Sequence, residues 1–244
     1  MFLHGWIDFD IVIYQAVYSA LNSPFKEFLN ELDLAINHIN ETLEYFYDSI
    51  EAAQWHYVIS GHNNFRKTLW PQYKIHRKEK PELLDTVMHF IKDNMPLEFE
   101  DTLEADDYIR IHNNSETDVV LSIDKDFKQI IGTHYDWNKD YWYEVTPNES
   151  KLYFLEQIMT GDSADGYKGI PKIGHKRAIN YIRKWRQERL NYSEMWDEIS
   201  KLYVAKGLTE DDALMNARMA FILDKEHWDS KEHKVILWQP EDLN

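Results

Sequence analysis

Carboxylates recur in this sequence at short spacings. Asp8 and Asp10 stand in IDFD, Glu104, Asp106 and Asp107 in EADD, Asp124 and Asp126 in SIDKDF, and Asp162 and Asp165 in TGDSADG. Carboxylates held this close repel one another, and Glu104 and Asp107 are also helix neighbours at i, i+3. Divalent cations relieve such repulsion. None of these clusters contains a histidine and the chain has no cysteine, so the donors are all oxygen. That set suits hard Mg²⁺ or Mn²⁺, which bind carboxylates, waters and phosphates, and does not suit zinc. Two such ions can activate water and stabilise the leaving oxygen of a phosphodiester. Each pair alone also reads as a helix cap or a solvated face. The inference rests on the clusters occurring together, with basic segments between them.

The basic segments supply the complementary chemistry. FRKTLWPQYKIHR interleaves aromatics with cations: Phe65-Arg66, then Tyr73-Lys74, then Arg77. Spaced at i, i+3, Lys74 and Arg77 are expected on one helix face, where they can hold a phosphate, and Tyr73 can stack on an unpaired base. In GIPKIGHKRA, Gly169 and Gly174 flank an apolar-Pro-basic-apolar core containing Lys172, and a basic helix starting with Lys176 and Arg177 follows. Glycine allows close backbone approach, and free N–H groups at a helix start bind phosphate. The pattern reads as a helix–hairpin–helix-type backbone clamp.

The elements that must position these groups follow from periodicity. Residues 5–9 and 55–60 read as strands, and DVVLSI at 118–123 as a strand buried on both faces of a parallel sheet. Asp8 and Asp124 then stand at carboxyl ends of strands, where open α/β sheets bind ligands. Residues 24–48 read as one long helix with Ser23-Pro24 as its start, through Leu29, Leu32, Ile36, Ile39, Leu43 and Phe46. Further helices are expected over 82–93 and 103–112, a short one after DKDF, and strands near 133–137 and 141–146. From 151 the chain reads as helical, with turns at 161–174 and 206–209 and a Thr209/Asp212 cap. The result is α/β with a parallel sheet and a helical C-terminal extension, packed as one continuous domain.

The 244 residues are 43% hydrophobic and 14% aromatic, which excludes a disordered chain. Apolar runs are too short to span a membrane, and Asp8 and Asp10 come too early for a signal peptide, so the expectation is a cytoplasmic protein. The net charge of −16 alone argues against nucleic acid. Its distribution does not. Residues 66–80 hold six Lys/Arg and one Glu, residues 168–189 eight and one, and the remaining chain is strongly acidic.

These motifs, in this order, resemble the structure-specific 5′-nuclease superfamily, which includes flap endonucleases and the 5′-nuclease domains of bacterial DNA polymerases. DKDFK, GDxxDGYxGI and the ARMAFIL…ILWQP tail look like the 5′→3′ exonuclease type of short-tailed coliphages. The resemblance implies a PIN-like core over 1–150 with a helical gateway near 65–100, and a helical DNA-binding region over 151–244 with a helix–two-turn–helix near 160–187. It implies metal ligation by Asp8, Glu104, Asp106, Asp107, Asp124, Asp126, Asp162 and Asp165, and contact of Lys74 and Arg77 with the scissile phosphate. Arg66, Tyr73, Gly169, Lys172, Gly174, Lys176 and Arg177 match DNA-contacting positions, and the 169–174 loop a K⁺ site. Family members commonly carry an Asp after the second strand, where this chain has Ser60-Gly61.

The expected function is a Mg²⁺- or Mn²⁺-dependent 5′→3′ exonuclease with flap endonuclease activity, using two or more ions. Its expected partners are duplex 5′ ends, flaps and RNA–DNA primer junctions, met as a monomer, in the host cytoplasm during phage replication. The alternatives are an RNA-directed metal-dependent nuclease, and a non-catalytic junction binder that lost activity with the carboxylate at Ser60-Gly61.

Overall fold

The computed structural model describes residues 1–243. In chain order the elements are β1 (Phe2–Asp8), α1 (Phe9–Leu21), α2 (Glu31–Ser49), β2 (Ala52–Val58), α3 (Phe65–Leu69), α4 (Glu82–Asn94), β3 (Leu97–Glu98), α5 (Ala105–His112), β4 (Val119–Leu121), β5 (Gly132–Asp136), β6 (Tyr141–Val145), α6 (Pro147–Thr160), β7 (Gly161–Asp162), β8 (Tyr167–Lys168), α7 (His175–Gln187), α8 (Tyr192–Ala205) and α9 (Glu210–Ala220). Among the described residues no helix is long and apolar enough to cross a membrane.

The chain forms two compact units. The first comprises Met1–Asn64, Lys78–Lys125 and Gly132–Glu144. Its sheet has the order β3-β2-β1-β4-β5-β6. β1 pairs in parallel with β2 and β4, β2 with β3, and β4 with β5. Strand order reverses between β1 and β4, the switch point at which open α/β sheets bind ligands. The core packs Ile7, Val119 and Leu121 of these two strands against Ile13 and Val17 of α1, Ile39 and Phe46 of α2, and Val87 and Ile91 of α4.

The α/β class and most elements agree with the sequence. One long helix over 24–48 does not: the helices are α1 and α2, with turns between them. Asn30, not Ser23, caps α2, its Oδ1 accepting the Leu32 N–H at 2.9 Å. Ser23 Oγ instead accepts the Phe25 N–H within the turn. α1 escaped detection because FDIVIYQAVYSAL is apolar over most of its circumference, and a helix buried that way shows little 3.6-residue contrast. Lys74 and Arg77 do not share a helix face either, since α3 ends at Leu69. Pro71 follows, and Lys74 lies at φ 58° in a turn.

The second unit comprises Phe65–Arg77, Asp126–Ile131 and the chain from Val145 onward. Helices α6, α8 and α9 each start with a capping box, Thr146/Glu149, Asn191/Glu194 and Thr209/Asp212. Phe154 and Trp196 meet Trp238 edge-on, at 5.3 and 5.2 Å between ring centroids. His227 is buried, with Nδ1 2.7 Å from Asp224 Oδ1 and Nε2 3.1 Å from Asp242 Oδ2. Burial lowers its pKa, but the two carboxylates outweigh burial and raise it above the ordinary histidine value. The native imidazolium therefore stabilises this region below about pH 6.5, and that stabilisation is lost as pH rises through the raised value. His227→Ala is expected to lower the melting temperature most near pH 6 and least near pH 9. Paired thermal melts across that range check this, and a pH-independent difference would refute it.

Candidate metal and phosphate sites

In the first unit, β1 ends at Asp8 because the chain turns there into α1. Ser122, just beyond β4, donates its Oγ–H to Asp8 Oδ2 at 2.9 Å and accepts the Asp124 N–H at 3.1 Å. One hydroxyl thus ties the two strand ends together. Asp8 is buried, and burial, then Asp10 and Asp124, push its carboxyl well above the usual range, with the Ser122 bond opposing them. Asp10 is raised as well, by burial and by nearby Glu104, against the opposing influence of Ser60 and Lys80. Carboxylates in this state favour protons or cations.

Glu104 precedes α5, and Asp107 Oδ2 accepts the Glu104 N–H at 3.2 Å. The pair read from sequence as mutually repelling is therefore also a helix cap. Carboxylate oxygens of Glu104, Asp106 and Asp107 lie within 4.8 Å of one another, a group able to hold a metal ion. Ser60 connects the groups: its N–H donates to Asp10 Oδ2 at 2.9 Å, and its Oγ accepts the Ala105 N–H at 3.1 Å, at the start of α5. Ser60 is the bridging residue that sequence reasoning left unassigned, and Asp10, read there only as one of the clustered carboxylates and not among the ligands the resemblance implies, is its partner. The two-residue spacing of Asp10 from Asp8 on the first turn of α1 was the available signal.

At one of the two positions where the family carries its carboxylate, Gly61, a side chain is sterically excluded. A Cβ on Gly61 would lie 2.2 Å from Glu100 O and 2.3 Å from Asp101 O. No side chain fits there, and Ser60 takes the bridging place beside it. Gly61→Asp is expected to lower the melting temperature by several degrees, from an overpacking cost of about 1–3 kcal/mol. A thermal melt equal to wild type would refute the clash.

In the second unit, Asp126, Asp162 and Asp165 all act on buried Tyr167. Burial first, then these three carboxylates, push its hydroxyl well up, with Arg66 opposing. Gln157 Nε2 donates to Asp126 Oδ1 at 2.7 Å and Tyr153 Oη at 3.2 Å. Asp165 gathers the cations. Arg77 Nη2 lies 2.6 Å from its Oδ1, and Lys74 Nζ lies 3.8 Å from its Oδ2. Tyr73 Oη donates to the same Oδ2 at 3.2 Å. The Lys74 N–H also donates to Asp165 O at 2.9 Å. Lys74 and Arg77 thus converge through a turn and a shared carboxylate.

Two of the side chains expected to contact DNA are buried. Arg66 is 2% exposed and donates from Nε to Met219 O and from Nη2 to Phe221 O, so it anchors the fold. Tyr73 is 5% exposed, with Lys74 Nζ 4.8 Å from its ring centroid, and offers no open face for a base. Gly169 is needed for internal packing, since a Cβ there would lie 2.3 Å from Met159 O. Gly174 has open space around its Cβ direction. Arg177 Nη1 donates to Lys172 O at 2.6 Å, closing the loop at the start of α7. Thr160, Ser163, Tyr167, Lys172 and Gly174 line a shallow cavity of about 380 Å³.

A parallel sheet with carboxylates gathered at its switch point, and a helical unit with a basic loop, define an α/β nuclease of the 5′-nuclease class. Residues 6–157 match the family described as 5′-3′ exonuclease, N-terminal resolvase-like domain, and the chain belongs to that family. It is 27% identical to the exodeoxyribonuclease of Enterobacteria phage T3 over 214 residues, 72% of this chain and 70% of that protein. It is 24% identical to a flap endonuclease, Xni, of Shewanella woodyi over 219 residues, 82% of this chain and 84% of that one. The fold resembles the phage T5 5′-exonuclease solved with divalent zinc ions, with TM-score 0.64 at 17% identity over 89% of this chain and 88% of that one. A T5 flap endonuclease complex with DNA and metal ions gives TM-score 0.64 at 16% identity over the same shares.

Proposed function

We propose that this protein is a divalent-metal-dependent 5′→3′ exonuclease with flap endonuclease activity on duplex DNA. The observation that carries this reading is the all-oxygen carboxylate set of the first unit: buried Asp8 with Asp10 and Asp124, and the Glu104/Asp106/Asp107 group. Hard cations fit such donors. The residues that would hold them in the first unit are Asp8, Glu104, Asp106, Asp107 and Asp124; Asp126, Asp162 and Asp165 are a separate carboxylate group around Tyr167 in the second. Bound Mg²⁺ or Mn²⁺ would supply Lewis-acid activation of water and neutralise the leaving oxygen.

The chain's own residues do the rest. Ser122 and Ser60 fix the carboxylates of β1, α1 and α5 relative to one another. Lys74 and Arg77, preorganised on Asp165, offset charge developing on the scissile phosphate. Lys172, Lys176 and Arg177, with the open backbone at Gly174, grip the duplex backbone, and the same loop takes K⁺. The T5 flap endonuclease complex with DNA and metal ions and the phage T3 exodeoxyribonuclease support the coarser reading of a metal-dependent nuclease on DNA. The protein acts as a monomer.

Mg²⁺-dependent product release from 5′-labelled duplex and flap DNA, abolished by chelation, tests the reading. Binding without cleavage would favour the junction binder, and preferential cleavage of RNA the RNA-directed nuclease. DNA affinity is expected to fall steeply with salt despite the net charge of −16, each neutralised phosphate adding about 0.9 to the log–log slope. Lys172→Ala with Lys176→Ala is expected to weaken binding and flatten that slope, with little change in saturated turnover. Anisotropy titrations at several salt concentrations check this, and a flat wild-type response would remove the clamp.

A further inference from the structure

The second unit also carries a groove to which the proposed function gives no specific role, although its Arg183 and Arg186 fall in the basic 168–189 segment and its Tyr153 donates to Asp126. It has a volume of about 580 Å³ and lies along α6 and α7. Its floor is apolar: Leu152 and Tyr153 from α6, and Ile179 and Ile182 from α7. Lys128, Arg183 and Arg186 line the same groove, and all three are exposed. Two acids are present as well, Glu149 and Glu156, but both are engaged. Glu149 Oε2 accepts the Thr146 N–H at 3.0 Å and the Thr146 Oγ1–H at 2.7 Å, in the cap of α6. Glu156 Oε1 is hydrogen-bonded to His175 Nδ1. Both carboxylates keep their charge, and three cations against two acids leave the lining net positive, with Arg183 and Arg186 the cations placed together on α7.

We propose that this groove docks an acidic amphipathic helix of a partner protein. The lining residues repeat one turn apart on each wall, 149, 152, 153 and 156 on α6 and 179, 182, 183 and 186 on α7. Two helical walls lined at one-turn intervals make a trough of the kind that takes a third helix. Such a helix lays apolar residues spaced at i, i+3, i+4 and i+7 on the floor. Carboxylates on its flanks then meet Arg183 and Arg186, whose guanidinium forks favour bidentate contact. Nucleic acid fits the same trough poorly. Bases need ring faces or hydrogen-bonding groups, whereas Leu152, Ile179 and Ile182 offer neither. The one aromatic ring, Tyr153, has Lys128 Nζ 5.6 Å from its centroid.

The probe is a short fluorescein-labelled helical peptide with leucines along one face and aspartates on both sides. Its controls replace either the leucines by serine or the aspartates by asparagine. Fluorescence anisotropy with the full chain is expected to show saturable, salt-sensitive binding of the parent peptide. Each control should bind at least about tenfold more weakly. Arg183→Glu with Arg186→Glu should cause a similar loss, and so should Ile179→Ser, a half-buried position where far-UV circular dichroism should stay unchanged. Absence of saturable binding to the wild type overturns the proposal. So does equal binding of the serine control, which would make the groove a general basic patch. Ile179→Ser weakening duplex DNA binding but not peptide binding assigns the groove to nucleic acid and overturns it. Self-association of the protein alone, lost in the double arginine variant, assigns it to a second copy and also overturns it.

Discussion

Asp124→Asn is expected to reduce single-turnover cleavage in Mg²⁺ by more than about 100-fold, beyond the 10–100-fold typical for loss of a group that only supports a metal ligand. β4 is fully buried, and the Asp124 N–H is held by Ser122, the same hydroxyl that donates to Asp8. The substitution therefore leaves the strand and its hydrogen bond in place and removes one negative charge. Asp124 is among the causes that raise the Asp8 carboxyl, so the two carboxylates face a common electrostatic problem. A bound cation would solve it, and the neutral amide would then weaken ligation and lessen repulsion toward phosphate. Duplex binding, measured in Ca²⁺ or without metal, should hold or tighten. Cleavage at near wild-type rate would show that Asp124 is no ligand. Unchanged cleavage together with a melting temperature equal to wild type would further place it as a solvated surface acid.

Much of this arrangement was legible because the relevant signals are local. DVVLSI announces a buried strand by composition, and the Asp that follows must stand at its carboxyl end. Thr209 and Asp212 announce a cap, and the capping box forms as read. What the sequence hid depends on contacts between distant residues. Arg66 reads as one more cation in a basic segment, yet its guanidinium serves carbonyls of Met219 and Phe221, more than 150 positions away in the chain. Tyr73 reads as an aromatic beside cations, and only the fold shows it buried on Asp165. The missing carboxylate reads as a defect. The structure bars a side chain at Gly61, where Glu100 and Asp101 approach closely, and gives Ser60 a bridge from Asp10 to α5. A spacing of i, i+3 placed Lys74 and Arg77 together for a reason that does not apply, because Pro71 and the left-handed Lys74 make a turn. They are together because both reach Asp165.

That shared carboxylate shapes the expected behaviour of Lys74→Ala. A lysine in a left-handed turn is uncommon and needs surrounding contacts to persist. Here Asp165 holds Lys74 twice, by its backbone N–H at 2.9 Å and by Nζ at 3.8 Å, and the side chain is only 20% exposed. The ammonium is thus positioned before substrate arrives and needs little reorganisation during reaction. Such a charge contributes most when negative charge builds on the phosphoryl oxygens, so its loss should appear in the rate more than in affinity. Lys74→Ala is expected to lower the single-turnover rate at saturating DNA by roughly 10²–10³-fold, the scale for loss of one preorganised donor. Affinity should change far less, because Lys172 and Lys176 remain. Lys74→Arg should recover only part of the rate, since a broad, delocalised guanidinium does not reproduce the compact point charge of the ammonium. A surface lysine lying along apolar groups would instead give a small, salt-sensitive change in affinity alone. A wild-type rate for Lys74→Ala at saturating DNA would remove the catalytic role while leaving the carboxylate assignment intact, because the two rest on different residues.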